Sequence, residues 1–394
     1  MKQIALALLG VTILVARASA AENNVVPAQP KDGVTPAPPL STDPPAAYSD
    51  LPTFGSIEWT TEKLPWVEDG PYAGISGVAM DVFDGKIVAT TGFIPGGDET
   101  TDRASRKTSR WAWIYDPATE KWEQLPHAPD RREYGRGLVA DDRLFLIGGG
   151  KQYQKHDPPY RPHGECFVLD LAAAPQTWQP HSTLNVPRTH MAVGLLGDSL
   201  VVAGGNEYDW NEKGYSNKTI RTTTEVLDLN DAAAGWKKGS PIPASGRGWA
   251  AAASTPEYLY VFGGVSFDKT GNSVGLRETW RYSPQRDSWE ERTAPPVAMS
   301  GWAGTLYQQR YAVIVGGIMR EMEKPDRKST WSDLVWVYDV QEDQWSQMQG
   351  TLPPGGVFND AAVVSIGDTI YVLGGEGPAG SHYNYFLSGQ ITRK

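Results

Sequence analysis

The sequence predicts an all-β fold, a six-bladed β-propeller whose ring is closed by an N-terminal strand in the last blade. Three observations predict it. A short β-rich run ending in a glycine pair recurs along the chain. A Trp follows every copy but the last at a similar distance. The composition, with Gly 42, Pro 30, Trp 15 and Tyr 17 in 394 residues, favours short strands joined by turns over helices.

The repeat is clearest at its glycines. Leu-Phe-Leu-Ile, Leu-Val-Val-Ala, Leu-Tyr-Val-Phe, Ala-Val-Ile-Val and Ile-Tyr-Val-Leu precede Gly148-Gly149, Gly204-Gly205, Gly263-Gly264, Gly316-Gly317 and Gly374-Gly375. A degenerate copy runs from Ile87 to Thr91-Gly92. Strand-rich units of nearly constant period are blades, since none can bury its faces alone. The glycines let the backbone bend where a side chain would clash. After a variable loop comes an apolar strand ending near Tyr115-Asp116, Leu169-Asp170, Leu227-Asp228, Tyr282-Ser283 or Tyr338-Asp339. Then follows Trp122, Trp178, Trp236, Trp289 or Trp345. The turn between makes a hairpin, and the Trp is expected to pack blade on blade.

The last copy is short. After Gly374-Gly375 one strand fits, around Tyr383 to Ser388, before the chain reaches Lys394. A spare Trp strand, Ser56-Ile57-Glu58-Trp59-Thr60, stands ahead of the first blade and is expected to be the outer strand of the sixth. Such closure removes exposed strand edges.

Three segments precede or form this array. Lys2, the apolar run Ile4 to Val15 and Ala18-Ser19-Ala20 read as a signal peptide over residues 1–20. Residues 21–55, with Pro27, Pro30, Pro36, Pro38, Pro39, Pro44 and Pro45, read as an extended linker. Residues 56–394 form the propeller. The expectation is a secreted or periplasmic monomer with no transmembrane span once the signal is removed. A net charge of −10 excludes general nucleic-acid binding. Cys166 is the one cysteine, so no intramolecular disulfide can form, and it is expected to be a buried small hydrophobe. His156 and His163, in a Pro-containing loop, make a poor metal pattern, and neither metal nor cofactor is expected.

Alignment on the first glycine locates a candidate site. Sixteen residues before it stand Ile75, Arg132, Arg188, Arg247, Ser300 and Phe358. Fourteen before stand Gly77, Tyr134, His190, Trp249, Trp302 and Asp360. Residues two apart on a strand share a face. Blades two to four therefore repeat Arg-x-aromatic, and blade five keeps Trp302. Guanidinium groups beside flat rings at a channel mouth suit a compact anion or a sugar face. Blade packing is the competing role for these arginines. The loops after the glycine pairs are further candidates. Among them are Asn206-Glu207 through Arg221, and the short loop opening with Glu376.

The double glycine, the Tyr-Asp-like strand end and the following Trp resemble the kelch motif over residues 56–394. Gly205-Asn206-Glu207 with Arg221 is also similar to a group of exported bacterial kelch proteins, the N-acetylneuraminate mutarotases. That resemblance implies anomer interconversion of an acidic sugar with a Glu base and an Arg. Glu207 or Glu376 would be the base, His190 a proton donor, and Arg132, Arg188 and Arg247 the carboxylate clamp. The leading expectation is a binding module for a protein or carbohydrate ligand, of anionic character. The alternative is an isomerase of the mutarotase or epimerase type.

Overall fold

The computed structural model describes residues 51–65, 74–95, 106–152, 160–211, 214–267, 273–320, 329–353, 358–377 and 382–394. The expected signal peptide and nearly all of the linker lie outside them. Among the described residues no helix is long and apolar enough to cross a membrane.

The described residues are all-β apart from a short 3-10 turn at Leu229–Ala234 and have a β-propeller arrangement. Four separate sheets each hold four antiparallel strands. They begin with the innermost strands Ala79–Phe83, Arg136–Ala140, Ala192–Leu196 and Ala251–Ser254. Each runs outward through the strand before the glycines to the Trp strand. Two-residue turns such as Asp84-Gly85, Asp141-Asp142 and Gln308-Gln309 have positive φ at both residues, which matches the twist of the hairpins they join.

The loops after the glycine pairs add small two- and three-stranded sheets, and eight further strands form one sheet. One half carries Ala303–Tyr307, Tyr311–Val315, Val335–Asp339 and Gln344–Gln349. The other carries Ala362–Ile366, Thr369–Leu373, Tyr385–Arg393 and Thr53–Lys63. The N-terminal strand pairs antiparallel with the C-terminal one from Gly55↔Arg393 to Lys63↔Tyr385. It also pairs in parallel with Gln347–Gln349 of the preceding half. The strand begins at Thr53, inside the expected linker.

The core is a series of apolar layers between successive sheets. Phe145 and Ile147 meet Leu200, Val202 and Trp236. Tyr260 and Phe262 meet Ile314, Trp336 and Trp345. Ile75, Val78 and Ile87 meet Val364, Leu373 and Phe386, joining the first repeat to the last. The repeated Trp ties each sheet to its predecessor. Trp178 Nε1 donates to Pro126 O (2.8 Å), Trp289 to Ser240 O (2.9 Å) and Trp345 to Thr293 O (2.9 Å). Cys166 is buried in one such layer, and burial pushes its thiol up to about 11.

The glycine pairs bind neighbouring repeats through their backbones. Gly92, Gly149, Gly205, Gly264, Gly317 and Gly375 donate N–H to Arg132, Arg188, Arg247, Met299, Phe358 and Ile75 carbonyls respectively. At Gly204, φ is +64° and an added Cβ would lie 2.4 Å from the Arg247 carbonyl oxygen, so glycine is required there for both reasons.

Candidate functional site at the axial mouth

A second backbone cycle marks the mouth of the central channel. Tyr134 N–H donates to Gly77 O, His190 to Tyr134, Trp249 to His190, Gly301 to Trp249, Asp360 to Gly301 and Gly77 to Asp360, at 2.8–3.2 Å. All six residues are left-handed, with φ between +51° and +68°. Glycine adopts this region freely, whereas other residues lose about 1–2 kcal/mol there. Four of the six are nonetheless Tyr134, His190, Trp249 and Asp360. Strain of this kind, held by surrounding structure, is a reason to suspect function.

The three rings form a ladder. Tyr134 stacks on His190 with centroids 4.0 Å apart, and His190 lies 4.2 Å from Trp249. Each contact contributes roughly 0.5–1.5 kcal/mol beyond burial, which offsets part of the backbone strain. Tyr134 leans over Gly77, where an added Cβ would lie 2.6 Å from its ring. Its Oη donates to Glu376 Oε1 (2.6 Å), across to the last repeat. Burial, then the charges of Glu133, Glu376 and Asp360, push the Tyr134 phenol far above its usual range. It is therefore a neutral donor. His190 is buried, with Nδ1 2.8 Å from Thr189 Oγ1, and its faces are covered by the two neighbouring rings.

Three expected binders are not at the mouth. Arg132, Arg188 and Arg247 are at most 1% exposed. Arg132 Nη1 donates to Gly148 O (3.0 Å) and Glu165 O (2.5 Å), and its guanidinium covers the Phe167 ring. Arg188 pairs with Glu225 and donates to Gly204 O. Arg247 pairs with Glu278 and donates to Gly263 O. These arginines tie the glycine corner to the third strand of their own sheet. Alternation does not hold there, because these arginines lie ahead of the innermost strands and not on them, and a long side chain can turn back under its own backbone.

Trp302 is also displaced. In the fifth repeat Met299 and Gly301 hold the two cyclic positions, so the repeat carries one extra residue before Gly316. Trp302 is instead buried, with Nε1 donating to Phe262 O (3.1 Å).

Glu207 and Arg221 are brought into direct contact. Glu207 lies on the strand Asn206–Asn211, and its cross-strand partner Thr219 lies two residues before Arg221. The ion pair forms beside the mouth, since Arg247 N–H donates to Arg221 O and Asn206 bridges Thr189. Asp360 and Glu376 are partly exposed within the mouth. His156 lies outside the described residues, and His163 lies 3.3 Å from Glu165. Among the described residues no cluster of His, Cys, Asp and Glu has the arrangement to hold a metal.

One residue at this mouth escaped the alignment. Arg136, two residues after Tyr134, is half-buried and under the influence of Asp360. Its signal was present, because the same register position in the other repeats is alanine.

The fold and the glycine corners define a class, the kelch-repeat β-propeller, and residues 75–129 match the Kelch motif model. Residues 218–324, which include Arg221, Arg247, Trp249 and Trp302, match the model of N-acetylneuraminate epimerase. Among curated proteins, the chain is 28% identical over 259 residues to Kelch-like protein terF of Aspergillus terreus, covering 64% of this chain and 52% of that one. It is 24% identical to Kelch-like protein 36 of Bos taurus, over 69% of this chain and 40% of that one. It is 25% identical over 194 residues to N-acetylneuraminate epimerase 1 of Escherichia coli O6:H1, over 42% of this chain and 51% of that protein. The chain thus spans about half or less of these relatives.

Proposed function

We propose that the protein is a carbohydrate-binding propeller, with a sugar seated at the axial mouth on the Tyr134–His190–Trp249 ladder. The strained ladder is the observation that carries this reading. The partly exposed Tyr134 and Trp249 rings suit the apolar side of a pyranose, while Glu376 and Asp360 offer acceptors to its hydroxyls. We count six blades, reading the eight-stranded sheet as the fifth and sixth, with the Thr53–Lys63 strand closing the ring. Support comes from the six-membered backbone cycles, which return from the last repeat to the first. Export, presentation on the Pro-rich segment and a monomeric state complete the proposal.

A second reading is favoured by the match over residues 218–324 and by the Glu207–Arg221 contact. In it the bound sugar is an acidic one and its anomers are interconverted. A base removes the anomeric hydroxyl proton and an acid protonates the ring oxygen as the ring opens. Glu207 must first leave Arg221 to act as base, and Glu376 must share itself with Tyr134. His190 reaches a ligand only through its ring edge.

One experiment separates the readings. Anomer equilibration of freshly dissolved N-acetylneuraminate is followed by NMR with and without protein, alongside saturation-transfer detection of binding. Saturation transfer without acceleration supports the binding reading. Acceleration that Glu207→Gln abolishes supports the second. Neither effect, repeated with neutral hexoses, removes a sugar from the mouth.

A further inference from the structure

Ala79, Arg136, Ala192, Ala251, Ala303 and Ala362 each open an innermost strand, two residues past the ring of the mouth. Five repeats place the smallest chiral side chain there and the second places the largest cation. Arg136 Nε donates to Met191 O (3.1 Å) and Nη1 to Gly135 O (3.2 Å). No carboxylate is bonded to its guanidinium among the described residues.

Three of the four arginines buried near the mouth are matched. Arg188 has Glu225, Arg247 has Glu278 and Arg221 has Glu207. Arg132, the fourth, stacks on Phe167 and donates to two carbonyls. Arg136 has two carbonyls and only the field of Asp360, while burial disfavours its charged form. Even partial removal of a cation from water is unfavourable without a bonded anion. The neighbouring repeats show that the strand needs no side chain at this position beyond a methyl group.

We infer that Arg136 is the anchor for a compact carboxylate on the ligand of the mouth, gripping it with the guanidinium edge left free by Met191 and Gly135. A planar fork fits a carboxylate in two-point fashion, which a lysine ammonium does not. The inference rests on the sugar seat proposed above and narrows its occupant to an acidic sugar. It also restores an anionic ligand, through an arginine other than the three first expected. Asp360 opposes the ligand's charge and tunes its affinity downward.

The test compares wild type, Arg136→Gln, Arg136→Lys and Asp360→Asn by tryptophan-fluorescence titration at constant ionic strength. D-glucuronate and D-glucose are the paired probes. Wild type should prefer the acid by about tenfold or more, the scale of one charge-assisted contact. Arg136→Gln should reduce that preference to near unity while still binding glucose. Arg136→Lys should retain part of it, and Asp360→Asn should increase it. Because the guanidinium lacks a bonded counter-charge, Arg136→Gln should melt no lower than wild type. A preference that survives Arg136→Gln, or equal affinities in wild type, overturns the anchor and leaves the sugar seat standing. Binding of neither sugar overturns the seat instead. Acetate replacing chloride then decides the anchor, which survives only if acetate raises the melting temperature of wild type and not of Arg136→Gln.

Discussion

Thr91 occupies the place where five repeats have the first glycine of the pair, and it does so at φ +60°. A β-branched residue is poorly tolerated there. Thr91→Gly should therefore raise stability by about 1 kcal/mol in chemical denaturation, less the loss of its hydroxyl bond to Thr90 O. Asp81 offers a second residue-scale test. Burial, opposed by the Val139 N–H at 2.6 Å, raises its carboxyl from 3.8 to about 6. The folded value lies above the unfolded one, so the stabilisation is complete below about pH 4 and is lost as pH rises through about 6. Asp81→Asn keeps an acceptor for Val139. It should stabilise the fold by on the order of 1–3 kcal/mol near pH 8 and change little near pH 4. Equal effects at both pH values would place the cause in packing. The buried arginines give the opposite outcome. Arg188→Ala leaves Glu225 uncompensated and should cost about 3–5 kcal/mol, with ligand affinity of the folded fraction unchanged.

At the scale of elements, the N-terminal strand has two partners. It pairs antiparallel with Tyr385–Arg393 and in parallel with Gln347–Gln349. Removing residues 1–50 should leave melting unchanged, whereas removing 1–64 should lower the melting temperature by many degrees. Equal melting temperatures for the two truncations would show that the strand does not hold the array together. The pairing of this strand was legible because Trp59 sits in the repeat's Trp setting and the last copy lacks one. The fifth repeat was not legible in the same way. One extra residue before Gly316 slides its register, and only the backbone cycle reveals that Gly301, not Trp302, holds the ring position. Nor could alternation tell that Arg132, Arg188 and Arg247 fold back on the glycine corners. Burial of a long side chain depends on acceptors supplied by distant residues such as Thr223 and Glu278. Arg136 was legible in retrospect, as the one charged residue in a column of alanines.

For the whole molecule, the repeat explains stability and its breaches are where the proposed ligand seat lies. Identical repeats would put glycine at all six ring positions of the mouth and alanine at all six positions beneath. The protein keeps Gly77 and Gly301 but carries three stacked rings, Asp360 and Arg136 in the others. These departures gather on the face of the glycine corners and the longer loops, while the opposite face is closed by tight turns. On the proposed function, the ladder is kept for a ligand. Trp249→Gly tests it most directly, because glycine suits φ +54° and so separates binding from backbone strain. Calorimetric titration of N-acetylneuraminate and D-glucuronate into wild type and this variant, with melting temperatures measured in parallel, is the decisive measurement. Affinity is expected to be at least about tenfold weaker in the variant, the scale of a lost stacking contact, with melting within a few degrees of wild type. Unchanged affinity with a large fall in melting temperature would contradict it and make the ladder a structural plug.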